Sequence, residues 1–309
     1  AKDPRNKERI FPYIGGEDFL RHPCQHHSRY VINFGEVSES DAQSYPDLYH
    51  IVAMKVKPER MLQKDNPDGR RRRQFWWQWG RYTPALTRAT EHLDRVLMHP
   101  FTSTHVAFAF VPSSTVVAGP HNVVALRSDC GFCVLQSRVH EAWVRLMGSS
   151  LKDDLRYTPT DCFETFPFPD GFESNPTIEE SGRVYYEFRA SLMQRYNVGL
   201  TTTYNWFHDP DCECPDIPKL RELHDTMDRA MLDAYGWTDI QPRCEFIPEF
   251  DDEEGEDENG RPRRRKYRYR WPDEIRDEVL ARLLELNRQR ALEEGQVPAE
   301  PPVFAGTAD

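Results

Sequence analysis

The alternation of apolar and polar positions divides the chain into a first half of mixed short elements and a second half of longer helices. Ile10-Phe-Pro-Tyr-Ile14 opens the folded part, Gly15-Gly16 permits a tight turn, and Glu17-Asp18 can cap the next element. Arg29–Phe34 predicts a strand, being rich in β-branched and aromatic residues. A helix starts at Pro46-Asp47, with Asp47 as its cap and Leu48, Ile51, Val52 and Val56 on one face, and Pro58 kinks or ends it. Asn66-Pro-Asp-Gly69 is a turn signal, and Thr83-Pro84 begins a helix through about Asp94. Strands are predicted over Arg95–Met98, His105–Val111 and Asn122–Leu126, with Phe108 and Phe110 on the face of Val106. Leu135, Val139, Trp143 and Leu146 recur at helical spacing and predict one helix over 132–147.

Beyond it, Thr158–Pro169 alternates prolines with phenylalanines and reads as an extended strap with Phe166 and Phe168 packed inward. Three helices come next, near 178–197 (Tyr185, Phe188, Leu192), 216–235 (Leu220, Leu223, Met227, Met231, stopped by Gly236) and 272–294 (Ile275, Val279, Leu283, Leu286). Between the last two, an acidic block at 251–258 meets a basic block at 261–270, the pattern of a solvated, partly disordered loop. Residues 296–309 are proline-rich and predicted to fray. The fold class is therefore α+β, mixed in the first half and mostly helical in the second.

Charge changes the picture. The whole chain of 309 residues carries −11. Residues 1–150 hold 20 Lys+Arg against 15 Asp+Glu, whereas residues 151–309 hold 20 against 36. Such asymmetry points to a nucleic-acid face in the first half and a scaffold in the second. The sharpest local feature is Arg70-Arg-Arg-Arg-Gln-Phe-Trp-Trp-Gln-Trp-Gly-Arg81. Clustered guanidinium groups among aromatic rings are what a nucleic-acid surface needs, and equally what a tryptophan core beside a solvated turn would give. No apolar run is long enough to span a membrane. Seven scattered cysteines suggest reduced thiols and a cytoplasmic setting, and the polar start without Met reads like the middle of a longer chain.

The chemistry expected of a stand-alone enzyme is missing. Asn66-Pro67 and Asn175-Pro176 are followed by Asp68 and Thr177, so no Asn-Pro-Pro-aromatic tetrapeptide exists to hold a target amine. There is no Gly-x-Gly turn, no phosphate loop, and no Asp/Glu-x-Lys nuclease tripeptide. Three groups carry metal-ligand types: Cys130/Cys133, His22/Cys24/His26/His27, and His208/Cys212/Cys214. The first has no second pair at zinc spacing, the second reads as a surface loop and the third lies in an Asp-Pro-rich turn, so no metal site is assigned. The missing motifs leave no catalytic residue to assign.

Several longer segments carry a shared pattern: Pro12-Tyr-Ile-Gly-Gly-Glu17, Tyr30-Val-Ile-Asn-Phe34, Val56-Lys-Pro-Glu-Arg60, Trp76-Trp-Gln-Trp-Gly-Arg81, Val134-Leu-Gln-Ser-Arg-Val-His-Glu-Ala-Trp143 and Leu155–Pro169. In the second half they are joined by Thr201–Pro210, Leu232-Asp-Ala-Tyr-Gly-Trp237 and Tyr269-Arg-Trp-Pro-Asp-Glu274. Together these segments resemble the C-terminal part of MmeI-like DNA methyltransferases, the fused restriction-and-modification family. Cys212-Glu-Cys214 and the 251–270 insertion depart from the family pattern.

The resemblance implies a target recognition domain over 1–169, which reads double-stranded DNA in the major groove, and a helical C-terminal domain over 170–295. It also implies an S-adenosylmethionine-dependent catalytic domain outside this chain, N-terminal or a separate subunit, into which the target adenine is flipped. Motifs shared across specificities are framework, which places Trp76, Trp77, Trp79 and Arg81 there, Arg81 reaching a phosphate. Arg70, Arg71, Arg72 and Arg73 would contact phosphates from a turn. Base readers would lie on polar loops: Ser103, Thr104 and His105; Ser113, Ser114 and Thr115; His121 and Asn122. The alternative reading is a protein-interaction scaffold of a phage-defence complex, suggested by the acidic second half and the 251–270 insertion.

Overall fold

The computed structural model describes residues 3–80, 83–151, 154–249 and 266–295. The expectations for the 251–265 charged loop, the 296–309 tail and Arg81 fall outside these residues. The chain forms two compact units from interleaved segments. The first comprises Ala1–Thr102, Ala107–Ser128 and Arg189–Tyr204; the second comprises Ser103–Val106, Asp129–Phe188 and Asn205–Asp309.

The first unit runs β1 (Ile10–Ile14), α1 (Gly16–Arg21), β2 (Arg29–Ile32), α2 (Glu39–Gln43), α3 (Pro46–Lys55), α4 (Lys57–Met61), α5 (Pro67–Gln74), α6 (Pro84–Thr90), β3 (Arg95–Pro100), β4 (Thr102–Ser103, of which Ser103 counts with the second unit), β5 (Ala109–Pro112), β6 (Val116–Val117) and β7 (His121–Val124). One sheet has the order β2-β1-β6, with β1 antiparallel to β2 and parallel to β6. The other is antiparallel in the order β5-β3-β7. As its middle strand, β3 is buried at every position after Arg95. The core gathers Phe34, Ala42, Leu48, Val52, Trp76 and Trp77.

Local physics shifts several predicted boundaries here. Pro46 occupies the first turn of α3, so the cap position falls on Tyr45 rather than Asp47. The helix ends at Lys55, and Pro58 sits at the start of α4, where its missing N–H costs nothing. Ile51 is 41% exposed and leaves the core face to Leu48 and Val52. The strand predicted over 105–111 is limited to β5, whose buried side chains are Ala109 and Val111. Phe110 lies on the opposite face of β5, where its ring takes the Arg95 guanidinium at 3.7 Å. Phe108 is fully buried outside the strand, so the two phenylalanines do not share a face.

The second unit contains α7 (Asp129–Gln136), α8 (Arg138–Met147), β8 (Ser149–Leu151), β9 (Asp154–Arg156), α9 (Pro159–Cys162), α10 (Pro176–Tyr196), α11 (Leu200–His208), α12 (Ile217–Ala234), β10 (Glu245–Pro248), β11 (Tyr267–Arg270) and α13 (Asp273–Glu293). Residues of α10 from Arg189, and of α11 through Tyr204, count with the first unit. The single helix predicted over 132–147 is two helices. Ser137 breaks it by turning extended and accepting the His140 amide as the N-cap of α8. The predicted strap contains a short turn of helix, α9, and buries Phe166 against Trp143 and His140. The long helices α10, α12 and α13 keep to the predicted periods, and Gly236, in the left-handed region at φ 76°, comes just after α12.

Helix packing in this unit is close. A Cβ at Gly182 would stand 2.3 Å from the Asp129 carbonyl oxygen and 2.8 Å from Cys133 Cβ, so only glycine lets α10 meet α7. Glu179 on α10 accepts the Cys130 amide at 2.7 Å. The Cys-x-x-Cys pair is thus core packing at a helix start. Burial pushes the Cys130 thiol up to about 12, and Cys133 also rises by burial.

Arg138, where α8 begins, is almost wholly buried and donates to Asp228 at 2.6 Å and Asp225 at 2.8 Å. Its own amide also donates to Asp228 at 2.8 Å. Removing one partner of a buried pair leaves an uncompensated charge, so Asp228→Ala should cost about 3–5 kcal/mol. The double variant Arg138→Met/Asp228→Leu should recover most of that loss in urea unfolding; equal losses in both variants would show that the pair is not the cause.

Candidate nucleic-acid interface

The basic-aromatic stretch is a helix with a core behind it. The Asn66 side chain accepts the Gly69 amide, and Pro67 occupies the first helical turn, so the turn signal is in fact the start of α5. Arg70 to Arg73 therefore lie on a helix, not on the predicted turn. The aromatic half turns inward. Trp76 and Trp77 are buried edge-to-face at 6.0 Å, and Trp77 Nε1 donates to the Val37 carbonyl at 2.9 Å. Trp79 packs edge-on against Tyr13 at 6.1 Å.

The four arginines are not equivalent. Arg73 donates to the carbonyls of Gln63 (2.5 Å) and Lys64 (3.3 Å) and to Asp65 (2.7 Å), holding the segment before α5. Arg72 pairs with Asp68 at 2.9 Å. Arg70 and Arg71 have side chains 56% and 52% exposed, with long contacts of 3.4 Å to Asp65 and 4.0 Å to Glu36. Exposed pairs of that kind contribute about 0–1 kcal/mol and yield readily to a phosphate.

The same unit holds two groups of predicted base readers. Pro112–Thr115 is a turn closed by the Thr115 amide on the Pro112 carbonyl at 2.9 Å. Ser114 is exposed at its tip. Ser113 is tied down through its hydroxyl to the Leu93 carbonyl and its amide to Asp94. β6 then runs beside β1, placing this turn next to the Pro12–Glu17 motif. His121 is half-buried, with Nδ1 3.0 Å from the Ala118 carbonyl, and burial lowers its pKa. Asn122 faces His99 in the β3–β7 ladder.

The sheet β2-β1-β6 also carries a cationic-aromatic face that the sequence did not flag as a site. Tyr13 is in register with Arg29 and Val116, and the Arg29 guanidinium lies 5.1 Å from the Tyr13 ring centroid. Tyr13 lies in the Pro12–Glu17 motif and Arg29 opens the strand predicted over Arg29–Phe34, but only strand pairing reveals that they share one face. Between Arg95 and Arg127 the sequence has no charged residue, so all eight predicted base readers occupy an electrically neutral stretch.

Ser103, Thr104 and His105 belong to the second unit. Thr104 is exposed, whereas the His105 ring is buried, stacks on His208 at 5.2 Å, and has Nε2 2.8 Å from Asn205 Oδ1. Beside it Arg268, from the block read as a solvated loop, is a buried strand residue paired with Glu249 at 2.6 Å and Glu141 at 3.7 Å. Burial and the neighbouring Arg268 charge pull His105 down to about 4 and His208 well below its usual value. The Arg145 and Arg268 charges overcome burial at Glu141 and hold it near 2. Among the described residues no group of three His, Cys, Asp or Glu could hold a metal ion, and no helix is long and apolar enough to cross a membrane.

The two histidines set a pH dependence. Each is neutral when folded and binds its proton more readily when unfolded, so their stabilisation is present above about pH 6.5 and is lost as pH falls. For His105 the loss between 6.5 and about 4 amounts to roughly 3 kcal/mol. Thermal melts should show the second unit losing stability steadily over that window, and a flat profile would remove the buried-neutral assignment.

A family model described as MmeI, target recognition domain, matches residues 1–170. Among solved structures the fold is similar, with a TM-score of 0.59 at 16% identity, to the Type IIL restriction-modification enzyme MmeI in complex with DNA. That match covers 94% of this chain and 32% of the enzyme chain, so the present chain spans about one third of the enzyme's length. No curated protein matches.

Proposed function

This chain belongs to the MmeI target recognition domain family, and on that membership we propose that it is the DNA sequence-recognition module of a site-specific adenine-N6 methyltransferase. The family match over residues 1–170 is the single observation that carries the reading. In this reading the recognition domain is 1–169, and a helical domain over 170–295 follows and braces it. The module positions duplex DNA so that the target adenine is flipped into a catalytic domain, linked or separate, which binds S-adenosylmethionine. The setting is a cytoplasmic restriction-modification or phage-defence system. No residue of this chain is assigned a catalytic role or a cofactor.

The labour divides by charge. Arg70, Arg71 and Arg72 on α5, with Arg81 beyond it, contact phosphates and place the module on the duplex. Arg73 contributes more to the shape of the preceding segment than to DNA, because its donors are already engaged. Sequence is read by neutral side chains, chiefly Thr104, Ser114, Thr115, His121 and Asn122. Ser103, Ser113 and His105 support those loops from within, through bonds to His105, Leu93 and Asn205.

The purified chain should bind duplex DNA at low salt, with an affinity that falls linearly on a log scale as salt rises. Arg70→Ala/Arg71→Ala should lower that affinity and reduce the salt slope by about 1–2, since each phosphate contact contributes about 0.9. Arg73→Ala should instead lower the melting temperature with little change in slope. Absence of DNA binding, alone or joined to a catalytic domain, would refute the reading.

A further inference from the structure

The loop Ser103–Val106 is held more firmly than a surface loop requires. Ser103 Oγ donates to the His105 carbonyl at 2.5 Å, and the His105 ring is locked between His208 and Asn205. His208 accepts the Tyr269 amide at Nδ1, 3.1 Å away. Arg268, 4% exposed, reaches from β11 to donate to the Thr104 carbonyl at 3.3 Å, while Nε and Nη2 are fixed on Glu249 at 3.0 and 2.6 Å. The backbone at Thr104 is therefore clamped from β11 and α11, and the Thr104 side chain is the exposed part of the loop.

The direction of its hydroxyl is also set. Thr104 Oγ1 donates its hydrogen to Asp154 Oδ1 at 2.8 Å, at the start of β9. A carboxylate only accepts, so the hydroxyl proton is committed and the remaining lone pairs of Oγ1 point elsewhere. A free threonine is indifferent, able to meet donors or acceptors on a base edge. This one presents acceptors only, and the neighbouring carboxylate presents more. In the major groove the matching donors are the exocyclic amines, adenine N6 and cytosine N4, whereas guanine O6 and thymine O4 would meet acceptor against acceptor.

We propose that the Thr104–Asp154 pair reads an exocyclic amine, so that one position of the target site requires adenine or cytosine on the contacted strand, with Arg268 as the positioning residue. The proposal rests on the reading of the chain as a DNA-recognition module and deepens it at one base pair. Arg268 acts through the Thr104 backbone and touches no base.

The test is a selection by the full 309-residue chain from a pool of duplexes with a randomised central segment, followed by sequencing. The unaltered chain should recover a site in which one position is restricted to adenine or cytosine. Thr104→Val should relax that position alone, by roughly tenfold in relative affinity. Asp154→Asn offers an amide donor to Oγ1, frees the hydroxyl hydrogen, and should shift the same position towards guanine or thymine. Arg268→Gln should blur the same position, since the Thr104 carbonyl loses its donor. Both Thr104 and Asp154 are surface partners, so those variants report even where Arg268→Gln fails to fold. A site recovered by the unaltered chain whose every position keeps its preference in Thr104→Val and Asp154→Asn would overturn the proposal. No site at all, with no duplex binding, would overturn the underlying reading and this proposal with it.

Discussion

The desolvation cost of a guanidinium is the constraint on which this molecule depends most. Arg138, Arg189 and Arg268 are each at least nine-tenths buried, and a dry guanidinium survives only where carboxylates or carbonyls surround it. In the first unit Arg189 meets that demand through the Tyr204 hydroxyl at 2.8 Å and the Phe108 carbonyl at 2.6 Å. In the second, Arg138 binds Asp228 and Asp225 of α12, while Arg268 binds Glu249 and the Thr104 carbonyl. Each arginine thus fixes segments far apart in sequence. Apolar contacts fill the space between elements; the guanidinium bonds decide their register.

That division explains what a sequence reading reaches. The apolar stripes of α12 and α13 were legible because burial there follows the helical period, with Met227, Met231, Val279 and Leu283 all buried. The inward turn of Trp76 and Trp77 was legible as one of two readings, and the core packing around them selects it. The buried arginines were not legible, since nothing in a charged letter announces a carboxylate supplied ninety residues away. Arg268 was hidden twice, once by its basic neighbours and once by an acidic tract that made the region look solvated. The loop at 103–105 misled for the opposite reason. Ser, Thr and His read as surface letters, yet His105 is interior because His208 offers it a stacking partner.

On α5 the physics favours exchange over permanence. Its outward arginines rest against exposed carboxylates at distances that confer little stability. Such pairs keep the side chains extended and soluble while no ligand is present. A phosphate, with more charge and better fork geometry, displaces the carboxylate at low cost. On the proposed reading the carboxylates would act as counter-ions in waiting, and the overall negative charge of the chain would pose no obstacle to binding a polyanion locally.

The neutral stretch between Arg95 and Arg127 has a consequence for how such a protein changes over time. On the proposed assignment, grip would reside in guanidinium groups outside that stretch, and choice of site mainly in uncharged side chains inside it. On that assignment a substitution among the hydroxyls and amides would alter which sequence is preferred while leaving the hold on the duplex intact. The ratio between preferred and other sequences would likewise be insulated from ionic strength, because uncharged contacts release no counter-ions. Such an arrangement would separate vocabulary from adhesion, so that lineages could acquire new vocabularies without first letting go of the duplex.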